Sequence, residues 1–81
     1  MRVSVHFYSY FKDLTGRAET LEQLFERATI ADLFRQLSQK FPQIEPMKKS
    51  MLVAVGLDYQ TWDYVLSEGD EVSFFPPVQG G

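Results

Sequence analysis

The stretch Thr29–Pro42, TIADLFRQLSQKFP, decides how the rest of the chain is read. Ile30, Leu33, Phe34, Leu37 and Phe41 recur at helical spacing, while Asp32, Arg35, Gln36, Gln39 and Lys40 fall largely outside that stripe. The spacing predicts a helix over Ile30–Phe41 with one apolar face. Thr29 is suited to accept a free amide of the first turn, and Asp32 places negative charge where the helix dipole favours it. Pro42 ends propagation because it has no amide hydrogen and its ring collides with the preceding turn. A lone helix of this kind must lay its apolar face on another surface, and the flanking segments are the only source of one.

Working outward, residues 2–8, RVSVHFY, alternate: Val3, Val5 and Phe7 point one way and Ser4, His6 and Tyr8 the other, the period of a half-buried strand. Lys12, Asp13 and Leu14 suit a short helical turn that Gly16 closes. AETLEQL, residues 18–24, mixes apolar with charged positions and is expected as a strand at a sheet edge. Downstream, PQIEPMKKS reads as irregular. MLVAV, residues 51–55, is short and β-branched and reads as a well-buried strand ended by Gly56. Residues 57–66, LDYQTWDYVL, are expected to hold a short strand or turn that packs Trp62 or Leu66 inward. Ser67–Asp70 forms a turn in which Gly69 takes a backbone angle other residues resist. Glu71–Phe75 is the last strand, with Val72 and Phe74 inward, Ser73 and Phe75 outward, and Pro76-Pro77 ending its pairing. The order is strand, strand, helix, strand, short strand, strand, an α+β outline with one amphipathic helix on one face of a mixed sheet. That is the outline of a β-grasp fold, in a single domain spanning residues 1–81 with an extended, flexible tail over 76–81.

Composition narrows the function. The chain has 81 residues, 44% of them hydrophobic, enough for one core and no second domain. A net charge of −3 argues against nucleic acid, which needs a clustered positive field, and the only adjacent basic pair is Lys48-Lys49. No apolar run approaches the length of a membrane span, so a cytoplasmic protein is expected. The absence of cysteine excludes thiolate metal sites and a cysteine nucleophile. His6 beside Ser4 is a weak basis for a catalytic pair and is read as an outward strand residue. Glu68, Asp70 and Glu71 match no cation-loop template and are read as a solvated turn, as are Lys48 and Lys49. No bound cofactor or metal is expected.

Two features remain. Alternation forces Tyr8 and Phe75 onto the sheet face away from the helix, where no second layer exists, and Tyr59 can join them; clustered exposed aromatics mark a protein-binding patch. The sequence then closes Phe75-Pro76-Pro77-Val78-Gln79-Gly80-Gly81. Two final glycines arise by chance in roughly one chain in two hundred, so a role is the better reading. The prolines favour an extended departure from the sheet, and residues without Cβ make a thin strip able to enter a narrow channel. Its tip is expected to be a carboxylate. Activation to an acyl adenylate by ATP, followed by a sulfur nucleophile, would turn that tip into a thiocarboxylate and supply sulfur chemistry without cysteine.

With those residues in view, the whole chain resembles the small-subunit family of molybdopterin synthase, among the ubiquitin-like sulfur carriers. The resemblance lies in VHFYSYFKDLTG, TIADLFRQLSQKFP, LVAV and, most specifically, LSEGDEVSFFPPVQGG. It implies a β-grasp fold and a cycle in which the Gly81 carboxylate is adenylated by an activating enzyme using ATP, thiocarboxylated with sulfur from a sulfurtransferase, and inserted into the large synthase subunit. There Gly81 would give sulfur to a cyclic pyranopterin monophosphate, with Pro76, Pro77, Val78, Gln79 and Gly80 lying in the partner's active site. The resemblance further implies two small and two large subunits, and a partner surface that includes Tyr8, Tyr59 and Phe75. This chain departs from the family at Gly56, where Asn is frequent, and in FERATI, which lacks the usual turn glycine. Carriers for thiazole synthesis or tRNA thiolation, protein modifiers, and a plain interaction module with incidental glycines are the alternatives.

Overall fold

Strand β1 (Arg2–Phe7) sits inside the sheet because it is apolar on one side along its whole length: Val3, Val5 and Phe7 are buried and the residues between them are not. It pairs in parallel with β5 (Glu71–Phe75), in a register that sets Val5 beside Val72 and Phe7 beside Phe74. The register puts all four on one face, each at most 1% exposed. Each enclosed Phe contributes about 2–3 kcal/mol of transfer free energy. A parallel pair requires a crossover, and the rest of the chain provides it. The computed structural model describes residues 1–77. Val78, Gln79, Gly80 and Gly81, together with what the sequence implies for them, lie outside the described residues.

The remaining strands are β2 (Glu19–Gln23), β3 (Leu52–Val55) and β4 (Asp58–Tyr59), giving the sheet order β2-β1-β5-β3-β4. β2 is an edge strand antiparallel to β1, as its mixed composition implies. A short helix α1 (Tyr10–Thr15), closed by Gly16, follows β1 and buries Phe11. The main helix α2 (Ile30–Lys40) lays Ile30, Leu33, Phe34 and Leu37 on the sheet. Its start is fixed by a reciprocal pair: Thr29 Oγ1 accepts from the Asp32 amide at 3.2 Å and Asp32 Oδ2 accepts from the Thr29 amide at 2.9 Å. The helix ends one residue before the predicted Phe41, whose ring turns edge-on to Phe7 at 5.9 Å between centroids.

The structure corrects a further expectation here and fills in two others. Pro42–Ser50 is not irregular but a run of 3-10 turns, which buries Ile44 against the core. Pro46 lies inside that run. Between residues 57 and 66 both candidates for inward packing are used: Leu66 is buried and Trp62, half-buried, stands edge-on to Phe34 at 5.3 Å. On β2 the two central side chains are inverted relative to their polarity. Pairing of Val3 with Glu22 and Ser4 with Leu21 turns the glutamate toward α2 and the leucine outward, 68% exposed.

That inversion is stable because α2 brings donors to the buried carboxylate. Lys40 Nζ reaches both Glu22 oxygens at 2.9 and 3.0 Å, Gln36 donates to Oε1 at 2.9 Å, and Thr20 donates to Oε2 at 3.0 Å. Burial alone would raise the Glu22 carboxyl, but hydrogen bonds from Lys40, Gln36 and Thr20 with the lysine charge outweigh it and hold Glu22 below its usual range. Polar groups thus tie the edge strand to the helix.

Candidate functional site

Among the described residues, no layer covers the face of the sheet away from α2. Tyr8, just past β1, Phe75 at the end of β5 and Tyr59 on β4 meet there: the Phe75 ring centroid lies 6.3 Å from that of Tyr8 and 5.6 Å from that of Tyr59. Three segments far apart in sequence are brought together by the β1-β5-β3-β4 order, with Phe75 opposite Leu52 and Tyr59 opposite Ala54. Tyr8 and Tyr59 are exposed, at 49% and 64%. Phe75 was expected to be exposed and is half-buried, because the two tyrosines flank it. With Ala54, Gly56, Leu57 and Ser73 these aromatics line one open groove.

The chain leaves this groove through Pro76, half-buried, and Pro77, exposed. Proline at both positions fixes φ and removes the amide donors a ladder would need, so the pairing of β5 ends at Phe75, beside the aromatic patch. An apolar face and an exit for the chain therefore coincide. The predicted tail positions Val78, Gln79, Gly80 and Gly81 lie outside the described residues.

Sequence reasoning missed four members of the groove, Ala54, Gly56, Leu57 and Ser73. Ala54 and Ser73 form its floor and are legible only from the pairing of Ala54 with Ser73 across β3 and β5. Leu57 could have been found: a glycine followed by one residue between two strand-like runs is a hairpin signal that places the second residue at the tip.

The other residues singled out in the sequence take structural roles. His6 is half-buried on the outer face, its Nδ1 3.6 Å from Glu19 Oε2 on the neighbouring strand. Glu68 accepts the Arg2 amide at 3.0 Å and Asp70 accepts the Ser67 amide at 2.8 Å, so these carboxylates shape a turn in which Gly69 has φ 83°. Lys48 is exposed, yet its ammonium lies 5.2 Å from the Trp62 ring centre and 5.8 Å from that of Phe34, within cation-π range. Asp32 is held below the usual carboxylate range by the Thr29 amide it accepts, against a smaller opposing effect of desolvation. Among the described residues no three His, Asp or Glu side chains are placed to hold a metal, and no helix is long and apolar enough to cross a membrane.

A five-stranded sheet packed on one main helix, with an open aromatic groove beside the point where β5 ends, defines a β-grasp domain. Comparison with known proteins agrees, and residues 5–81 match the model of the ThiS family; the chain belongs to that family. It is 28% identical to the molybdopterin synthase sulfur carrier subunit of Mycobacterium tuberculosis, over 100% of this chain and 99% of that one. The crystal structure of SAMP1 from Haloferax volcanii superposes with a TM-score of 0.89 at 19% identity, covering 100% of both chains. One chain in the complex of subunits 1 and 2 of the molybdopterin-converting factor from Helicobacter pylori gives a TM-score of 0.70 at 21% identity, again over 100% of both.

Proposed function

We propose that this chain is the sulfur-carrier subunit of a molybdopterin synthase, with Gly81 as the group that is activated and delivered. The observation that carries the reading is the continuity of the Tyr8–Tyr59–Phe75 face with the Pro76-Pro77 exit. A protein that grips this face is positioned to take the following residues into its own active site. Support for the pterin pathway in particular comes from relatives, aligned over the whole of this chain, that are named molybdopterin synthase sulfur carrier subunits.

In the proposed cycle a carboxylate oxygen of Gly81 attacks the α-phosphate of ATP on an activating enzyme, and pyrophosphate leaves. The resulting acyl adenylate has a good leaving group where the free carboxylate had none. A sulfur nucleophile supplied by a sulfurtransferase attacks the carbonyl carbon, AMP departs, and the end becomes a thiocarboxylate. The large synthase subunit then binds Pro76–Gly81 and passes the sulfur to a cyclic pyranopterin monophosphate, in an assembly of two small and two large subunits. The folded body supplies recognition and is not a catalyst by itself.

Intact-mass measurement after incubation with ATP, the activating enzyme and a sulfur source tests this. The expected result is replacement of one oxygen of Gly81 by sulfur, and loss of that change in a chain lacking Gly81 that still folds. An unchanged mass alongside a competent control carrier would sink the proposal. Capture from cell extract of a thiazole synthase or a tRNA-thiolation enzyme, with no pterin synthase subunit, would keep the chemistry and move it to another pathway.

A further inference from the structure

The turn between β3 and β4 is a two-residue hairpin: Val55 pairs with Asp58, so Gly56 and Leu57 alone form it. Gly56 has φ 61°, the left-handed angle that the first position of a II′ turn demands, and Leu57 does not share it. The turn is braced on both sides. The Gly56 amide donates to the Glu71 carbonyl at 2.9 Å and the Gln60 amide to the Val53 carbonyl at 3.0 Å. Leu57 is therefore held out on a rigid tip, at 101% relative exposure.

Nothing in the fold calls for leucine at this position. Any residue with ordinary backbone angles completes such a turn, and a polar one would do so without presenting a large apolar side chain to water. A single exposed leucine needs no explanation on its own. This one lines the same groove as Tyr8, Tyr59 and Phe75 and stands at the end of it opposite the chain's exit. The groove between is floored by the small residues Ala54 and Ser73.

We propose that Leu57 is a docking anchor for the acceptor subunit that receives the tail, inserting into an apolar pocket of that protein, while the groove behind it takes an apolar side chain from the same partner. The inference rests on the tail-delivery reading above and goes beyond it, because delivery alone requires only the aromatics nearest the exit. Chain length favours this occupant. The six residues Pro76–Gly81 reach at most about 20 Å when fully extended, so a protein that encloses Gly81 has surface close to Phe75 and to the groove that Phe75 walls. A backbone already braced in a turn has little further freedom to lose on binding, so only the Leu57 side-chain rotamer has to be ordered.

Calorimetric titration of the full chain with the purified large synthase subunit from the same organism decides the matter. Leu57→Ser is expected to weaken binding about tenfold, with an unchanged thermal midpoint of the free chain in a separate melt. Leu57→Met is expected to restore affinity to within about twofold, and Gln39→Ala, on the exposed side of α2, to bind like the unaltered chain. If Leu57→Ser binds within about twofold of the unaltered chain while Tyr59→Ala is about tenfold weaker, Leu57 is no anchor and tail delivery stands. If the unaltered chain does not bind the large subunit at all, the inference and the reading beneath it fall together.

Discussion

On the helix side of the sheet, Val3, Val5, Phe7, Val72 and Phe74 are sealed beneath α2; on the other side, Tyr8 and Tyr59 are exposed around a half-buried Phe75, with no layer above them among the described residues. Both sets come from the same or adjoining strands, separated by nothing but the alternation of the β backbone. The two faces are nonetheless governed by different physics. Inner residues are chosen by volume and fill a closed space, with the Phe7 and Phe74 rings stacked at 6.2 Å. Outer residues are large aromatics that the described part of the fold leaves wholly or partly uncovered.

Substitutions separate the faces. Phe74→Ala opens a cavity in the sealed face, and urea unfolding is expected to show a loss of about 3–5 kcal/mol. Next comes the tie between β2 and α2. Lys40→Met leaves the enclosed Glu22 carboxylate without its cation, for an expected loss of about 2 kcal/mol, below the value for a fully enclosed pair because the lysine is half exposed. The same carboxylate gives an acid signature. Its folded-state value lies below the reference value of 4.5, so the unfolded chain takes up the proton first as pH falls. The stabilisation is complete above about 4.5 and drains away as pH falls through the lower, folded-state value; Glu22→Gln is expected to flatten that part of the stability-versus-pH curve.

Smaller effects come from the turn before α2 and from the open face. Arg27 has φ 67°, the left-handed region, within the FERATI stretch that lacks the turn glycine usual in the family it resembles. Arg27→Gly relieves the side-chain collision at some cost in unfolded-state entropy, and a gain of up to about 1 kcal/mol is expected by thermal unfolding. Tyr59→Ala is expected to change stability by less than about 0.5 kcal/mol while weakening partner binding. A loss of stability as large as that of Phe74→Ala would erase the distinction between the faces.

Much of this was legible beforehand. The α2 stripe, the alternation of β1 and β5, the inward Val72 and Phe74 and the two outward aromatics Tyr8 and Phe75 all follow from side-chain period, which is a local property of the chain. Where local pattern and burial disagreed, the sequence misled or was silent. Glu22 is enclosed and Leu21 exposed, because β2 takes its register from β1 and its donors from Lys40 and Gln36 on a helix far along the chain. Pro42–Ser50 looked irregular because two prolines interrupt any α pattern, yet Ile44 found a place in the core.

The sequence by itself determined which residues form strands and helix, which face of each is apolar, and that aromatics would be left on the far side of the sheet. Those are consequences of backbone geometry over a few residues. Only the tertiary structure decided that β5 lies between β1 and β3, and with it the meeting of Tyr8, Tyr59 and Phe75, the floor of Ala54 and Ser73, and the position of Leu57 at the rim. Strand order is a matter of long-range pairing, settled by how the whole core closes rather than by any one segment.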